Sequence, residues 1–376
     1  MARWHKTCLS PYMRAMAGIA TKSRVYLDHA ATAPVHPAAI AAMAEAAATL
    51  GNPASVHAGG RAANGIIERA RDVIAAWAAC APDALVFTSG GTEALALAIN
   101  GSVMPRFIAS AVEHSAVLAA REAVIAPVDC NGIVDLGALA ALLADGPALV
   151  AIQHANNETG VIQPIADVTA LVAKSGGLLL VDAVQSAGKL LLPDADFVAI
   201  SAHKLGGPPG VGALIVRNPG TLTATQRGGG QERGLRGGTP NLPGIAGFAA
   251  AIAQTADWQR IEILRDELES RLRAAYPALV VHGAAAARLP NIASLGLPGV
   301  KGGTQVMALD LAGFMVSAGA ACSSGKVSAS HVLAAMGLGD TAGQAIRVSL
   351  GATTTTADID AFIGAWTLMA NRLAPK

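Results

Sequence analysis

Charge is scarce in this chain: 14% of its 376 residues are charged against 52% that are hydrophobic. That balance supplies ample material for a large core and excludes a disordered polyelectrolyte. A formal net charge of +1 gives no long-range field for a polyanion. No lysine or arginine cluster of the kind that tracks a phosphate backbone is present, which argues against nucleic acid as a main partner. Long apolar runs are also missing. A membrane span needs about 20 continuous apolar residues, and here Gly, Pro or a charge interrupts every run, so no membrane association is expected. The four cysteines, Cys8, Cys80, Cys130 and Cys322, lie far apart without a CxxC pair, which excludes a disulfide framework or a zinc motif and fits a reducing, cytoplasmic setting. The histidines show no HExxH spacing, and no metal is expected.

What is present points to two domains, since the usual prior is roughly 100 to 200 residues each. The first 24 residues form an expected flexible lead-in. Arg3, Lys6, Arg14, Lys22 and Arg24 occur there without an acidic residue, a transit-peptide bias, but no clean cleavage pattern accompanies them and Met13 and Met16 follow as alternative starts. A large domain is then expected over residues 25–256 and a smaller one over 257–376, with the glycine-rich stretch Gly228 to Gly238 as the main break before the pattern changes.

Between residues 84 and 216, seven short apolar runs alternate with alanine-rich helical stretches: ALVFT at 84, RFIAS at 106, VIAPV at 124, ALVAIQ at 148, LLLVD at 178, DFVAIS at 196 and VGALIV at 211. Continuous apolar runs separated by helices are the mark of buried parallel strands in βαβ units, so the class is α/β with a mostly parallel, seven-stranded sheet. Beyond the break, Trp258, Ile261, Leu264, Leu268 and Leu272 recur at helical spacing and predict an amphipathic helix ending near Tyr276-Pro277. Shorter runs, VVH at 280, NIASLGL at 291 and FMVS at 314, with a helix near 304 to 312, make this second part α+β.

Ligands of such sheets bind beyond the carboxyl ends of the strands, so polar residues just after a strand are the candidates. Lys204, in SAHKLGGPPG, follows the sixth run on a turn; desolvated in a cleft it suits Schiff-base chemistry, though alone it also fits a solvated loop lysine. Asp182 ends the fifth run, where a carboxylate can pair with a pyridinium nitrogen or cap a helix, and Gln185 could donate to a ring hydroxyl. The TSGGTE run at 88–93 turns from strand to helix, offering Gly91 and Thr92 to a phosphate at a helix N-terminus, with Ser201 and His203 closing from a neighbouring strand end; an ordinary capped turn is the alternative. His114 opens a helix at the same rim, able to stack on a ring and move protons or simply to cap. Cys322, in SAGAACSSGK, sits among small residues that leave a thiol accessible, although free cysteine is often only a small buried hydrophobe. Arg347, in AIRVSLG, can grip a carboxylate through two hydrogen bonds or serve a structural ion pair.

Taken in order, YLDHAATAP at 26, GNPASVHAGGRAA at 51, TSGGTE, HANNETGVIQPI at 154, VDAVQS, SAHK, GGGQERGLRGGTPN at 228, SAGAACSS and IRVSLG resemble the cysteine desulfurase family, over nearly everything after residue 24. The resemblance implies a class-V aminotransferase-like, pyridoxal-phosphate fold type I homodimer that forms L-alanine from L-cysteine. It implies that Lys204 carries the cofactor, Asp182 pairs with its ring nitrogen, Gln185 with the ring hydroxyl, Asn157 with cofactor and substrate, and that His114 stacks on the ring. Gly91, Thr92, Ser201 and His203 would hold the phosphate together with Thr239 from the partner subunit. Arg347 would bind the substrate carboxylate. Cys322 would take the sulfur as a persulfide for an acceptor, such as an iron–sulfur scaffold or a thiolation pathway. The sequence after Cys322 resembles the long-loop group. Selenocysteine lyases share this scaffold, and an ordinary aminotransferase, for which Cys322 is incidental, is the other enzyme reading. TAP for TTP near residue 32, GPPG for GPKG at 207 and alanine at 352 for a frequent arginine depart from the family pattern; none removes a catalytic group.

Overall fold

The structure, a computed structural model, describes residues 24–319 and 329–375. The lead-in up to residue 23 and Cys322 therefore lie outside the described residues. Among the described residues no helix is long and apolar enough to cross a membrane.

The strands run in chain order as β1 (Val25–Tyr26), β2 (Leu85–Thr88), β3 (Phe107–Ser110), β4 (Val124–Ala126), β5 (Leu149–Gln153), β6 (Leu178–Asp182), β7 (Phe197–Ser201) and β8 (Gly212–Val216). Each of the seven apolar runs read from the sequence forms one of β2 to β8. They make a single sheet in the order β2-β8-β7-β6-β5-β3-β4. The pairs joining β4, β3, β5, β6 and β7 are parallel, and β8 runs antiparallel to both its neighbours. The expected mostly parallel α/β sheet is thus the observed one.

Both faces of the sheet are buried, which is why its strands read as unbroken apolar runs instead of alternating ones. Along β5, Val150 and Ile152 join a core covered by the helices Ala58–Trp77, Leu136–Leu143, Ile165–Ser175 and Leu242–Ile252. Leu149 and Ala151 face the opposite core, under the helix Gly91–Gly101. Each fully buried Leu, Ile or Val of this kind contributes about 1.5–3 kcal/mol, so the sheet is a stiff platform for whatever its strand ends carry.

A second core lies in the C-terminal part. The helix Trp258–Ala275 ends at Tyr276, before Pro277, as its spacing predicts. The strands β9 (Val280–Val281), β10 (Ile292–Gly296) and β12 (Ala345–Ser349) form an antiparallel sheet with β10 in the middle, and β11 (Phe314–Met315) stands apart from it. The helix Thr356–Leu373 seals this core with Phe362 and Trp366, both fully buried, and opens with a capping box of Thr355 and Asp358. The start of the described chain joins here as well: β1 pairs in parallel with β11, and Leu27 is buried in this second core. Residues 28–34 then leave it and cross toward β7, where Ala33 N donates to His203 O.

Candidate active site

One cavity of about 440 Å³ opens where the carboxyl ends of β5, β6 and β7 meet the edge of the C-terminal part. Asp28, Gly91, Thr92, His114, Gln153, Asn157, Glu158, Asp182, Gln185, Ser201, His203, Lys204, Ser317, His331 and Arg347 line it. Sheet topology explains the convergence. Polar residues that follow separate apolar runs are tens of residues apart in the chain, and parallel pairing brings their strand ends to one rim.

Lys204 closes a short 3-10 turn that caps β7. Its Nζ donates to the carbonyls of Ala30 and Ala31, each at 2.6 Å, so the crossing segment at 28–34 positions the amine. Asp182 is the last residue of β6 and is 9% exposed. Val184 N donates to its Oδ1 at 2.9 Å, and no donor reaches Oδ2 among the described residues. Burial pushes this carboxyl up from the usual 3.8 to about 6, against the opposing pull of the Val184 amide and the charge of Lys204. Gln185, three residues on, is buried and donates through Nε2 to Ala30 O at 2.8 Å.

The helix Gly91–Gly101 starts at Gly90 without a side-chain cap on its first amides. Glu93 instead reaches back to accept from Ser89 N at 2.6 Å and pairs with Arg236 at 2.7 Å. The amides of the first turn therefore have no side-chain cap, the condition under which a helix N-terminus can receive an anion. A Cβ at Gly91 would lie 2.7 Å from Val184 Cγ2 and 3.5 Å from Ser201 Cβ, so the turn lies against the β6 and β7 ends. His203 contacts Thr32 Oγ1 at 3.2 Å. Burial, assisted by the Lys204 charge, lowers its imidazole to about 4.

His114 proves to be a cap as well as a rim residue. Its Nδ1 accepts from Ala116 N at 3.1 Å, which makes Nε2 the protonated nitrogen of the neutral ring. Burial, then the charges of Lys204 and His331, hold it below the ordinary histidine range. Arg347, on β12, lines the cavity and forms the internal ion pair considered for it, donating through Nη2 to Asp28 Oδ1 at 2.7 Å and through Nη1 to Asn157 O at 2.9 Å. Its Nε is buried without a partner among the described residues. Ser317 holds the other Asp28 oxygen at 2.9 Å.

Of the candidates read from the sequence, Gly91, Thr92, His114, Asn157, Asp182, Gln185, Ser201, His203, Lys204 and Arg347 meet in this cavity. Thr239 does not: it borders two smaller cavities on the glycine-rich loop, beside Gln231 and Glu232 and beside Ser89 and Arg236. Cys322 lies outside the described residues, three positions beyond the cavity-lining Gly319. Sequence reasoning assigned no role to Asp28, Glu158 or His331. Asp28 and Glu158 sit inside quoted motifs, YLDHAATAP and HANNETG, and being polar there was their only signal; His331, on the short helix His331–Ala335, had none.

The class-V aminotransferase family matches residues 25–362 of the chain. A cysteine desulfurase of Cereibacter sphaeroides is 41% identical over 360 residues, covering 90% of this chain and 93% of that protein. The chain belongs to the cysteine desulfurase family of class-V aminotransferases. Among solved structures, a NifS-like protein from Rickettsia africae superimposes with a TM-score of 0.85 at 33% identity, over 93% of this chain and 99% of that one. SspA in complex with cysteine does so with a TM-score of 0.75 at 28% identity, over 88% and 100%. Cysteine desulfurases depend in general on pyridoxal phosphate, and this cavity fits that group. The buried Asp182, with one oxygen lacking a donor, suits a pyridinium N–H. The uncapped helix start beside Ser201 and His203 suits a phosphate, and Lys204 lines the same cavity.

Proposed function

We propose that this protein is a pyridoxal-phosphate-dependent cysteine desulfurase that transfers sulfur from L-cysteine to Cys322 and releases L-alanine. The observation that carries the reading is Asp182: an acid buried at a strand end and raised to about 6 by desolvation, whose Oδ1 accepts from Val184 N and whose Oδ2 suits a protonated ring nitrogen.

Bound at Lys204, the cofactor supplies an electron sink for the bond broken at Cβ of the substrate. The remaining work belongs to the chain. Asp182 would pair with the ring nitrogen and, as a carboxylate, would favour its protonated form. Gln185 keeps one amide hydrogen on Ala30 O and offers the other to the ring hydroxyl. Gly91, Thr92, Ser201 and His203 hold the phosphate, with Thr239 of a second copy of the chain completing the set in a homodimer. His114 presents a neutral ring, suited to stacking and to passing a proton through Nε2, while Lys204 Nζ takes and returns the proton at Cα. Arg347 binds the substrate carboxylate through its fork, with Asp28 holding the guanidinium in place. The Cys322 thiolate attacks the substrate sulfur; an S–S bond forms as the Cβ–S bond breaks with its electron pair left on Cβ, which takes up a proton to complete alanine, and the persulfide on Cys322 is open to a sulfur acceptor.

Wild type and Cys322→Ala, each loaded with cofactor, test this with L-cysteine under reductant, following alanine, sulfide and the visible absorbance of the bound cofactor. Wild type is expected to form alanine and sulfide in equal amounts, and the variant to change its absorbance on binding cysteine without turning over. Alanine formation that survives the loss of Cys322 refutes the persulfide mechanism.

A further inference from the structure

Among the described residues, the glycine-rich loop holds two of the three non-glycine residues with a positive φ, the third being Ala79. Glu232 and Arg233 are consecutive non-glycine residues with φ of 45° and 55°, a left-handed conformation that persists only where surrounding contacts impose it. Those contacts are visible. Glu232 is 8% exposed, and its carboxylate forms a two-pronged pair with Arg71, at 2.9 Å on each oxygen. Its Oε2 also accepts from Phe87 N at 2.8 Å. Arg233 donates to Leu85 O at 2.7 Å. Both anchors therefore fall on β2, and Phe87 immediately precedes the Thr88–Thr92 turn.

The same loop grips that turn from its far side. Arg236 donates to Glu93 Oε1 at 2.7 Å and to Oε2 at 3.2 Å, while Glu93 Oε2 receives Ser89 N at 2.6 Å. The turn is thus held before it by Glu232 and after it by Arg236, two residues four apart on one strained loop.

We propose that Glu232 and Arg236 are positioning residues for the phosphate turn, clamping residues 88–93 so that their amides match an anion before it arrives, and that the strain in the loop results from making both contacts at once. The inference rests on the cofactor reading above and adds residues that touch no cofactor atom. A clamp of this kind acts on the phosphate end alone. Its loss therefore weakens binding of pyridoxal phosphate and leaves pyridoxal, which lacks the phosphate, unaffected.

The test measures dissociation constants of pyridoxal phosphate and of pyridoxal for the full-length cofactor-free protein, by absorbance of the bound aldehyde. It compares wild type with Arg236→Ala and with the charge-neutral pair Arg71→Met, Glu232→Leu, which leaves no buried charge unpaired. Arg236→Ala is expected to lose about tenfold in affinity for pyridoxal phosphate, the scale of one well-aimed charge-assisted hydrogen bond, with pyridoxal unchanged; the double variant should lose at least as much. Arg236→Lys, which keeps the charge, should recover part of it. Equal weakening of both ligands, or of neither, overturns the clamp. If wild type itself binds pyridoxal phosphate no better than pyridoxal, the phosphate assignment fails, and the clamp with it.

Discussion

Asp182→Asn in the cofactor-free protein should raise stability at neutral pH, the opposite of what removing an active-site charge is usually expected to do to a folded chain. The Asp182 carboxyl is raised from 3.8 to about 6, chiefly by burial. A shift of that size costs the ionised form about 3 kcal/mol, at about 1.36 kcal/mol per pH unit. The sign follows from linkage. A group whose folded pKa lies above its unfolded one contributes stability that is complete below pH 3.8 and is lost as pH rises through 6. Asparagine keeps the acceptor for Val184 N and carries no charge, so it escapes that loss. The advantage of the variant over wild type should grow from about 1 kcal/mol at pH 4.5 to about 3 kcal/mol at pH 7.5. Urea unfolding of both cofactor-free proteins across that range, followed by circular dichroism, reads the difference, in which titrating groups that do not interact with Asp182 cancel. Adding pyridoxal phosphate at a thousandfold excess over the wild-type dissociation constant, which stabilises wild type by about 4.1 kcal/mol, should reverse the order, since the variant lacks the acid that pairs with the ring nitrogen and binds the cofactor far more weakly. A variant less stable than wild type at pH 7.5 without cofactor, or a difference that stays flat with pH, would show that Asp182 is already satisfied as an anion and would remove the basis for assigning it to a ring nitrogen.

Two further outcomes follow from the same geometry. Arg347→Lys keeps the charge near Asp28 but loses the fork, so kcat/KM for L-cysteine should fall roughly 10- to 100-fold, mainly through KM, in steady-state assays; an unchanged KM would mean that Arg347 serves only its ion pair. Gly212→Ala would put a Cβ 2.7 Å from Ile200 O and 2.8 Å from the Gly90 carbonyl carbon. It should lower stability by about 1–3 kcal/mol and loosen cofactor retention, measured by thermal melting and by cofactor lost on dialysis; full retention would show that the turn can shift without penalty.

Strand content was legible because it is a local property. A run such as LLLVD at 178 must be buried on both faces wherever it sits, and both observed cores indeed take alternate residues of it. The helix ending at Tyr276 was legible for the same reason, through apolar spacing and a following proline. Chemistry at strand ends was partly legible: Asp182, Lys204 and His114 were singled out because each follows an apolar run, and motif order tied them together. Asp28 and His331 were not, since neither has a local pattern that marks it as part of a site.

Pairing across the chain, and the charges that burial perturbs, belong to tertiary structure alone. Nothing in YLDHAATAP indicates that its first residues lie beside β11, nearly three hundred positions away, or that Ala30 and Ala31 turn their carbonyls to Lys204 Nζ. Arg347 could grip a ligand or an internal acid by sequence; the structure has it line the cavity while paired with Asp28. The left-handed Glu232 and Arg233 contradict local preference, and only the contacts to Arg71 and β2 make that conformation stable. Sequence determines which segments must be buried and which residue types are available for chemistry, because hydrophobic period and side-chain identity are written along the chain. Distance, desolvation and strain exist only once remote segments meet, and those three quantities decided which of the available residues became a site.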